Sequence, residues 1–511
     1  MPDISDEALR ACLGVLKAIQ ADRGLLTRLT RDERRELLML AGLVAKPERE
    51  ELRRMAKAFR RTEREAAQQQ DRQSIETAGL RVQRRSENYT PLWLPLPDPE
   101  SARNDAGAGG GLDTGATTDA SPRPALNAAR NCYVCKQSFT EVHRYYDSMC
   151  RSCGDFNYAR REQTADLTGR VALVTGARVK IGYQAALMLL RAGAQVVAVT
   201  RFPVDAAARY AQEADYADWR DRLRIHGLDL RHTPSVELFA RALGENLPRL
   251  DYILNNACQT VRRPAGFFLH LLEREAAGSA ALPAEQRAPL AQHESLCRAL
   301  VAPASPGAPE GLIHSAALSQ RRYLDEDYLE GEALFPSGRY DEDRQQVDLR
   351  QMNSWRLRLH EVETPELLEV QLVNAIAPYI LNARLKPLLL KSGARDLHID
   401  NVSAMEGQFY RTTKTDKHPH TNMAKAALNM MTRTSAPDYV RDGIHMNAVD
   451  TGWVTDEDPA VHAARKAEEG FAPPLDIIDG AARIVDPIFS GMNTGTHVWG
   501  QFLKDYKPAP W

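Results

Sequence analysis

The sequence predicts an α/β fold, a doubly wound parallel sheet, preceded by a helical region and a small zinc-binding module. Three observations predict it. RVALV, TGARVKIG, AALMLLRAG and QVVAVTR follow one another between Arg170 and Arg201 as strand, glycine-rich turn, helix and strand. CYVC and CRSC stand just before that unit. A stretch poor in large apolar residues separates both from a helix-patterned N-terminal part.

With 511 residues and 43% hydrophobic content the chain can bury a large core. A formal charge of -2, from 66 basic and 68 acidic residues, gives no overall footprint for nucleic acid or an anionic membrane. MPDISDEALRACLG lacks the pattern of a secretion signal, and no apolar run is long enough to span a bilayer. A soluble cytoplasmic protein is the expectation. Of seven cysteines, four cluster and three (Cys12, Cys258, Cys297) are scattered, which fits reduced thiols plus a metal site.

Residues 1–75 read as a helical region. Leu9, Leu13 and Leu16 recur at helical spacing, and Thr30 with Glu33 forms a capping box before LLMLAGLV. Pro47 opens a further helix with Leu52, Met55 and Phe59 as a narrow stripe before the pattern turns polar all round. A small bundle or dimerisation arm is expected, with a basic binding helix as the lesser alternative. Residues 76–130 read as a linker, centred on PLWLPLPDP and the Gly/Ala-rich run from 101 to 125.

Residues 131–161 form the predicted module. Cys132, Cys135, Cys150 and Cys153 come from two short knuckles and can close a tetrahedron around zinc, a structural rather than catalytic arrangement. An iron–sulfur centre and a redox dithiol pair are weaker alternatives. His143 is read as a surface or supporting residue, not a ligand. Arg144, Arg151, Arg160 and Arg161 raise nucleic-acid binding as a minor possibility.

In TGARVKIG, Thr175 to Gly182, backbone amides at a helix N-terminus can receive a pyrophosphate. Lys180 replaces the middle glycine of TGxxxGxG. It either narrows the turn or sends its ammonium toward phosphate. The second strand ends in Arg201 rather than an acidic residue, with Arg178 and Lys180 nearby, so NADP(H) is expected over NAD(H).

These motifs and those that follow resemble the short-chain dehydrogenase/reductase family over residues 166–511. The resemblance implies a Rossmann-like domain with Thr175, Gly176, Ile181 and Gly182 at the cofactor turn and Asp229 at the adenine. It places Asn256 and Ala257 at the strand end that borders the cofactor, and Gly452 in the turn beside the nicotinamide. It assigns Asn374 to a proton-relay water, Ser403 to the catalytic serine and Lys425 to the catalytic lysine. Three departures accompany it. Asn256 and Asn374 lie about 118 positions apart, which marks residues 265–355 as an insertion near the active-site mouth. Thr421 replaces the catalytic Tyr, and an alkyl hydroxyl is a far weaker acid than a phenol. Ser403 and Thr421 are 18 apart, so EGQFYRTTKTDKHPH is longer than usual; its Tyr410, His418 and His420 are candidate replacement acids.

The expected function is an NADP-dependent oxidoreductase with a non-standard acid. The alternative is an NADP(H)-binding regulatory protein that contacts a partner through residues 1–160. The family's habit makes a homo-oligomer the default expectation. The substrate has no readable signature.

Overall fold

The computed structural model describes residues 4–85, 125–301, 309–341, 345–410 and 414–511. Most of the segment read as linker lies outside these residues. Its ends do not fit that reading: Gly79–Arg85 is a helix, and Ala125–Asn131 is a strand.

The chain divides into Met1–Asp71 and Arg72–Trp511. The first unit holds helices Asp6–Ala21, Arg31–Ala45 and the start of Arg49–Glu76. Thr30 and Glu33 form the expected box: the Thr30 amide donates to Glu33 at 2.9 Å and the Glu33 amide to the Thr30 hydroxyl at 3.3 Å. None of the described residues up to Asp71 is buried, and Leu9, Leu13, Leu38, Leu52 and Phe59 all stand exposed.

In the second unit the Gly79–Arg85 helix precedes a two-stranded antiparallel ribbon, β1 (Ala125–Asn131) and β2 (Ser138–Glu141). The main sheet follows: β3 (Val171–Thr175), β4 (Gln195–Thr200), β5 (Leu223–Gly227), β6 (Tyr252–Asn255), β7 (Leu397–Ser403), β8 (Ile444–Asp450), β9 (Phe502–Lys504) and β10 (Lys507–Pro508). Its order is β10-β9-β8-β7-β6-β3-β4-β5, parallel from β5 to β9, with only β10 antiparallel. β3 and β7 are buried at every position, which is why they read as continuous apolar or mixed runs rather than alternating ones.

Helices cover both faces, as parallel connections require. Lys180–Arg191 and Ile477–Thr494 pack on one; Thr233–Asn246 and Ala377–Lys391 pack on the other. Strand order reverses beside β3, and there, outside the carboxyl ends of the strands, this architecture opens its crevice.

The insertion packs as short helices on this sheet. Phe267 and Phe268 gather with Phe202 and Phe335. Arg262 is clamped by Asp327 and, at 3.0 Å, by Glu369.

Candidate functional site

A cavity of about 540 Å³ lies at the carboxyl ends of β3, β4 and β6. Its walls include Gly176, Arg178 to Gly182, Arg201, Asp229, Asn256 and Ala257, together with Gln346 and Asp348 from the insertion and Val454 to Ala460 after β8. The insertion thus roofs the cavity.

The glycine-rich turn is built by close approach. Gly176 has φ +67°, and a Cβ there would lie 2.8 Å from the Ala257 Cα. A Cβ on Gly182 would lie 2.2 Å from Asn256 Nδ2 and 2.3 Å from the Gly176 carbonyl oxygen, a separation no side chain tolerates. Asn256 holds the turn by donating to the Thr175 carbonyl at 3.0 Å, and the Ala257 amide donates to the Thr175 hydroxyl at 3.0 Å. Lys180 takes the glycine conformation, φ +55°, and its ammonium stands 3.9 Å from Glu457. Ile181 packs under the turn, and Gly480 leaves it room: a Cβ there would lie 2.9 Å from the Ile181 side chain.

Three arginines approach the end of β4, and they differ in their partners. Arg178 is buried and paired with Asp205 at 2.8 Å, and Arg274 of the insertion meets the same carboxylate at 2.9 Å. Arg231 grips Asp229 at 2.6 Å and Glu369 at 3.0 Å. Burial, then Arg231, pushes Arg201 down to about 10, and its guanidinium lies 4.9 Å from the Phe268 ring centre. Among the described residues Arg201 has no carboxylate within ion-pair distance. Asp229 stays below the usual carboxylate range because Arg231 overcomes the desolvation that opposes it. Sequence reasoning missed Arg231 and Phe268. Arg231 was visible two places after Asp229, whereas nothing in the insertion marks Phe268.

The residues assigned to catalysis are placed differently. Ser403, Thr421, Lys425 and Asn374 are all buried, and none of them borders the cavity. The Ser403 hydroxyl donates to Asn429 at 2.5 Å, and Lys425 donates to the Val402 carbonyl at 2.7 Å. Asn374, inside a π-helical turn at Leu372–Ile376, accepts from the Gln259 amide at 2.8 Å and pins the chain after β6. The Thr421 hydroxyl is buried without a hydrogen-bond partner in the protein.

Tyr410 is 86% exposed beside Phe409, away from Lys425. His418 stacks on Trp355 with ring centres 3.8 Å apart, and burial pushes it down to about 4. His420 is buried beside Thr421, with its Nε2 3.4 Å from the buried Glu366 carboxylate. In the same loop Lys414 donates to the carbonyls of Glu406 and, at 3.0 Å, Gln408.

The four thiols converge: every Sγ lies within 4.8 Å of the others, and Cys135 and Cys150 are 3.7 Å apart. Bonds of about 2.3 Å in a tetrahedron space sulfurs at about 3.8 Å. Lys136, φ +63°, turns the first knuckle. The module is joined tightly to the sheet domain. Tyr145 donates to Asp476 at 2.8 Å, Tyr146 donates to Asp479, and Arg161 pairs with Asp476 at 2.6 Å. Gly452, φ +76°, lies against it, since a Cβ there would come within 3.2 Å of the Tyr133 hydroxyl.

The structure narrows two expectations for this module. His143 is buried, accepts from the Tyr145 amide at 3.1 Å and abuts Gly154, so it is an internal scaffold residue rather than a surface one. Of the four nearby arginines, Arg160 and Arg161 are paired inward, whereas Arg144, over Tyr158, and Arg151, 3.9 Å from Asp155, stand exposed.

The sheet order, the glycine turn and the cavity at the strand ends define a dinucleotide-fold protein of the short-chain dehydrogenase class. The family model described as short chain dehydrogenase matches residues 170–275. An uncharacterised protein of Acanthamoeba polyphaga mimivirus is 30% identical over 388 residues, 73% of this chain and 74% of that one. The WW domain-containing oxidoreductase of Drosophila melanogaster is 33% identical over 124 residues, only 24% of this chain and 28% of that protein. Among solved structures, an NADPH-bound carbonyl reductase from chicken fatty liver is 19% identical, covering 68% of this chain and 100% of that one with a TM-score of 0.40. That last likeness is too distant to carry an argument. The chain belongs to the short-chain dehydrogenase family. No described helix is long and apolar enough to cross a membrane.

Proposed function

We propose that the chain is an NADP(H)-dependent oxidoreductase acting on a carbonyl or the corresponding alcohol, with an imidazole in place of the family's phenol. Arg201 is the observation that carries the cofactor half. It is a cation at a cavity wall, desolvated and flanked by other arginines, with no carboxylate partner among the described residues. A ribose 2'-phosphate neutralises such a group; a 2'-hydroxyl does not. The bare turn at Gly176 and Gly182 lets a pyrophosphate reach the amides at the start of the Lys180–Arg191 helix.

When bound, the dinucleotide supplies or accepts the hydride. The chain's own residues handle the proton. Tyr410 is on the surface, and His418 is neutral at physiological pH and held under Trp355. His420 remains. It directly precedes Thr421, and its Nε2 lies 3.4 Å from the Glu366 carboxylate. Giving a proton to a developing alkoxide leaves a neutral imidazole, which is reprotonated before the next turnover.

The test is NADPH oxidation across a panel of aldehydes and ketones. His420→Asn is expected to lower kcat by about 10²-fold or more with NADPH affinity unchanged. Wild-type turnover in that variant contradicts the assignment.

A second reading rests on its own observation: Ser403 and Lys425 are both bonded to protein groups. On that reading the chain binds NADP(H) and regulates a partner, and no carbonyl in the panel is turned over. For the four thiols, their 3.7 Å spacing and closed set support a structural zinc ion.

A further inference from the structure

A second cluster of metal-ligand side chains lies at the opposite end of the sheet from the cavity. His398 and His445 are each the second residue of their strands, β7 and β8, and are register partners. Neighbouring parallel strands therefore send the two rings out side by side on one face. His497 follows Gly495, whose φ of +70° ends the Ile477–Thr494 helix, and it folds back onto both rings. Each imidazole offers a nitrogen within 4.8 Å of the other two. The ring centres are 4.6 to 5.2 Å apart, and His398 Nε2 stands 2.9 Å from His497 Nδ1.

Several features make this more than three crowded rings. His445 Nδ1 donates to the Leu397 carbonyl at 3.1 Å, which fixes the tautomer and leaves its Nε2 lone pair to be offered, the usual way a metal-binding imidazole is oriented. Gly491 clears the space: a Cβ there would lie 2.3 Å from His497 Nδ1 and 3.2 Å from His398 Nε2. His398 is fully buried, and its Nδ1 has no hydrogen-bond partner in the protein. The nearby Arg170 is already compensated by Asp251 at 3.1 Å and Asp396 at 2.6 Å.

We propose that His398, His445 and His497 form a three-imidazole site for a divalent first-row transition ion of the zinc class. Nitrogen ligands select zinc, copper, nickel or cobalt over magnesium and calcium. Three protein ligands leave a fourth position for water, unlike the closed four-thiol set. Ion binding replaces the single contact between His398 and His497 and opens it to the spacing of about 3.3 Å that tetrahedral bonds of about 2.0 Å impose.

The full chain is dialysed to equilibrium against buffered micromolar Zn²⁺, and bound metal per chain is counted by mass spectrometry. His497→Ala is chosen because the residue is half-buried in a loop; His445→Gln is the second variant, and thermal unfolding checks that both are folded. Each variant is expected to bind one equivalent less than the wild type. In a parallel Co²⁺ experiment the lost equivalent should lack thiolate-to-cobalt charge transfer, which assigns it to imidazole. Equal metal content in wild type and both folded variants overturns the proposal, and so does loss of the thiolate band in His497→Ala.

Discussion

The hydroxyl of Tyr133, the residue next to Cys132, accepts a hydrogen bond from the Trp453 amide at 2.9 Å. Trp453 follows Gly452 and precedes Val454, which borders the cavity. The four-thiol knuckle therefore supports the turn that closes one side of the cavity. Lys504 reinforces the contact, its ammonium 5.6 Å from the Tyr133 ring centre.

Metal removal should thus be felt at a distance. Chelation is expected to lower the melting temperature by at least about 5 °C and to weaken NADPH binding. Tyr133→Phe, which removes only the acceptor, should weaken NADPH binding slightly while leaving metal content intact. Differential scanning calorimetry with and without chelator checks the first; unchanged melting and binding after complete metal loss would mean that the knuckle does not support the turn.

Ser403 is a stabilising residue in this account. Its hydroxyl donates to Asn429, whose Nδ2 is already without a hydrogen-bond partner. Ser403→Ala leaves a buried acceptor unpaired and should cost about 1–3 kcal/mol of stability, with NADPH affinity unchanged. Denaturant unfolding measures it. A carbonyl-polarising serine would show the reverse pattern, with lost turnover at unchanged stability.

Stability should fall in mild acid. Burial holds His226 down to about 3 and His293 down to about 4, their rings 5.8 Å apart and both buried. Both values lie below that of an unfolded imidazole, so below about pH 6.5 the unfolded chain takes up protons that the folded chain refuses. The contribution is fully present above that pH and is lost as pH falls toward 4, by about 1.4 kcal/mol per pH unit for each ring. Melting curves from pH 7.5 to 5 test this; a flat profile would contradict it.

Much of the fold was legible because it is written locally. The β3–turn–β4 unit, the Thr30–Glu33 box and the two cysteine knuckles each depend on residues a few positions apart. Gly176 and Gly182 were legible from their spacing in the turn, although what excludes a Cβ at each is in part the close approach of Ala257 and Asn256 from beyond β6. Lys180 shows the limit: it holds a left-handed conformation without being glycine.

What failed to show depends on distant packing. A serine at a strand end faces either side, and only the packing of the Pro419–Tyr439 helix against β7 brings Asn429 to Ser403. Tyr410 looked like a spare phenol until its loop put it in solvent. Arg160 and Arg161 looked like a basic surface, yet they meet Asp486 and Asp476, more than 300 positions later. The apolar stripes of the first helices were read correctly as stripes, but periodicity does not say whether anything covers them.

The central claim is that Arg201 is an anion receptor in a working dinucleotide site. Titration calorimetry of the wild type and Arg201→Ala with NADPH and with NADH tests it most directly. The wild type should bind NADPH at least about 10-fold more tightly than NADH, and Arg201→Ala should lose about 10- to 100-fold for NADPH while NADH binding barely changes. Equal affinity of the wild type for the two dinucleotides, or no loss in Arg201→Ala, would contradict the account.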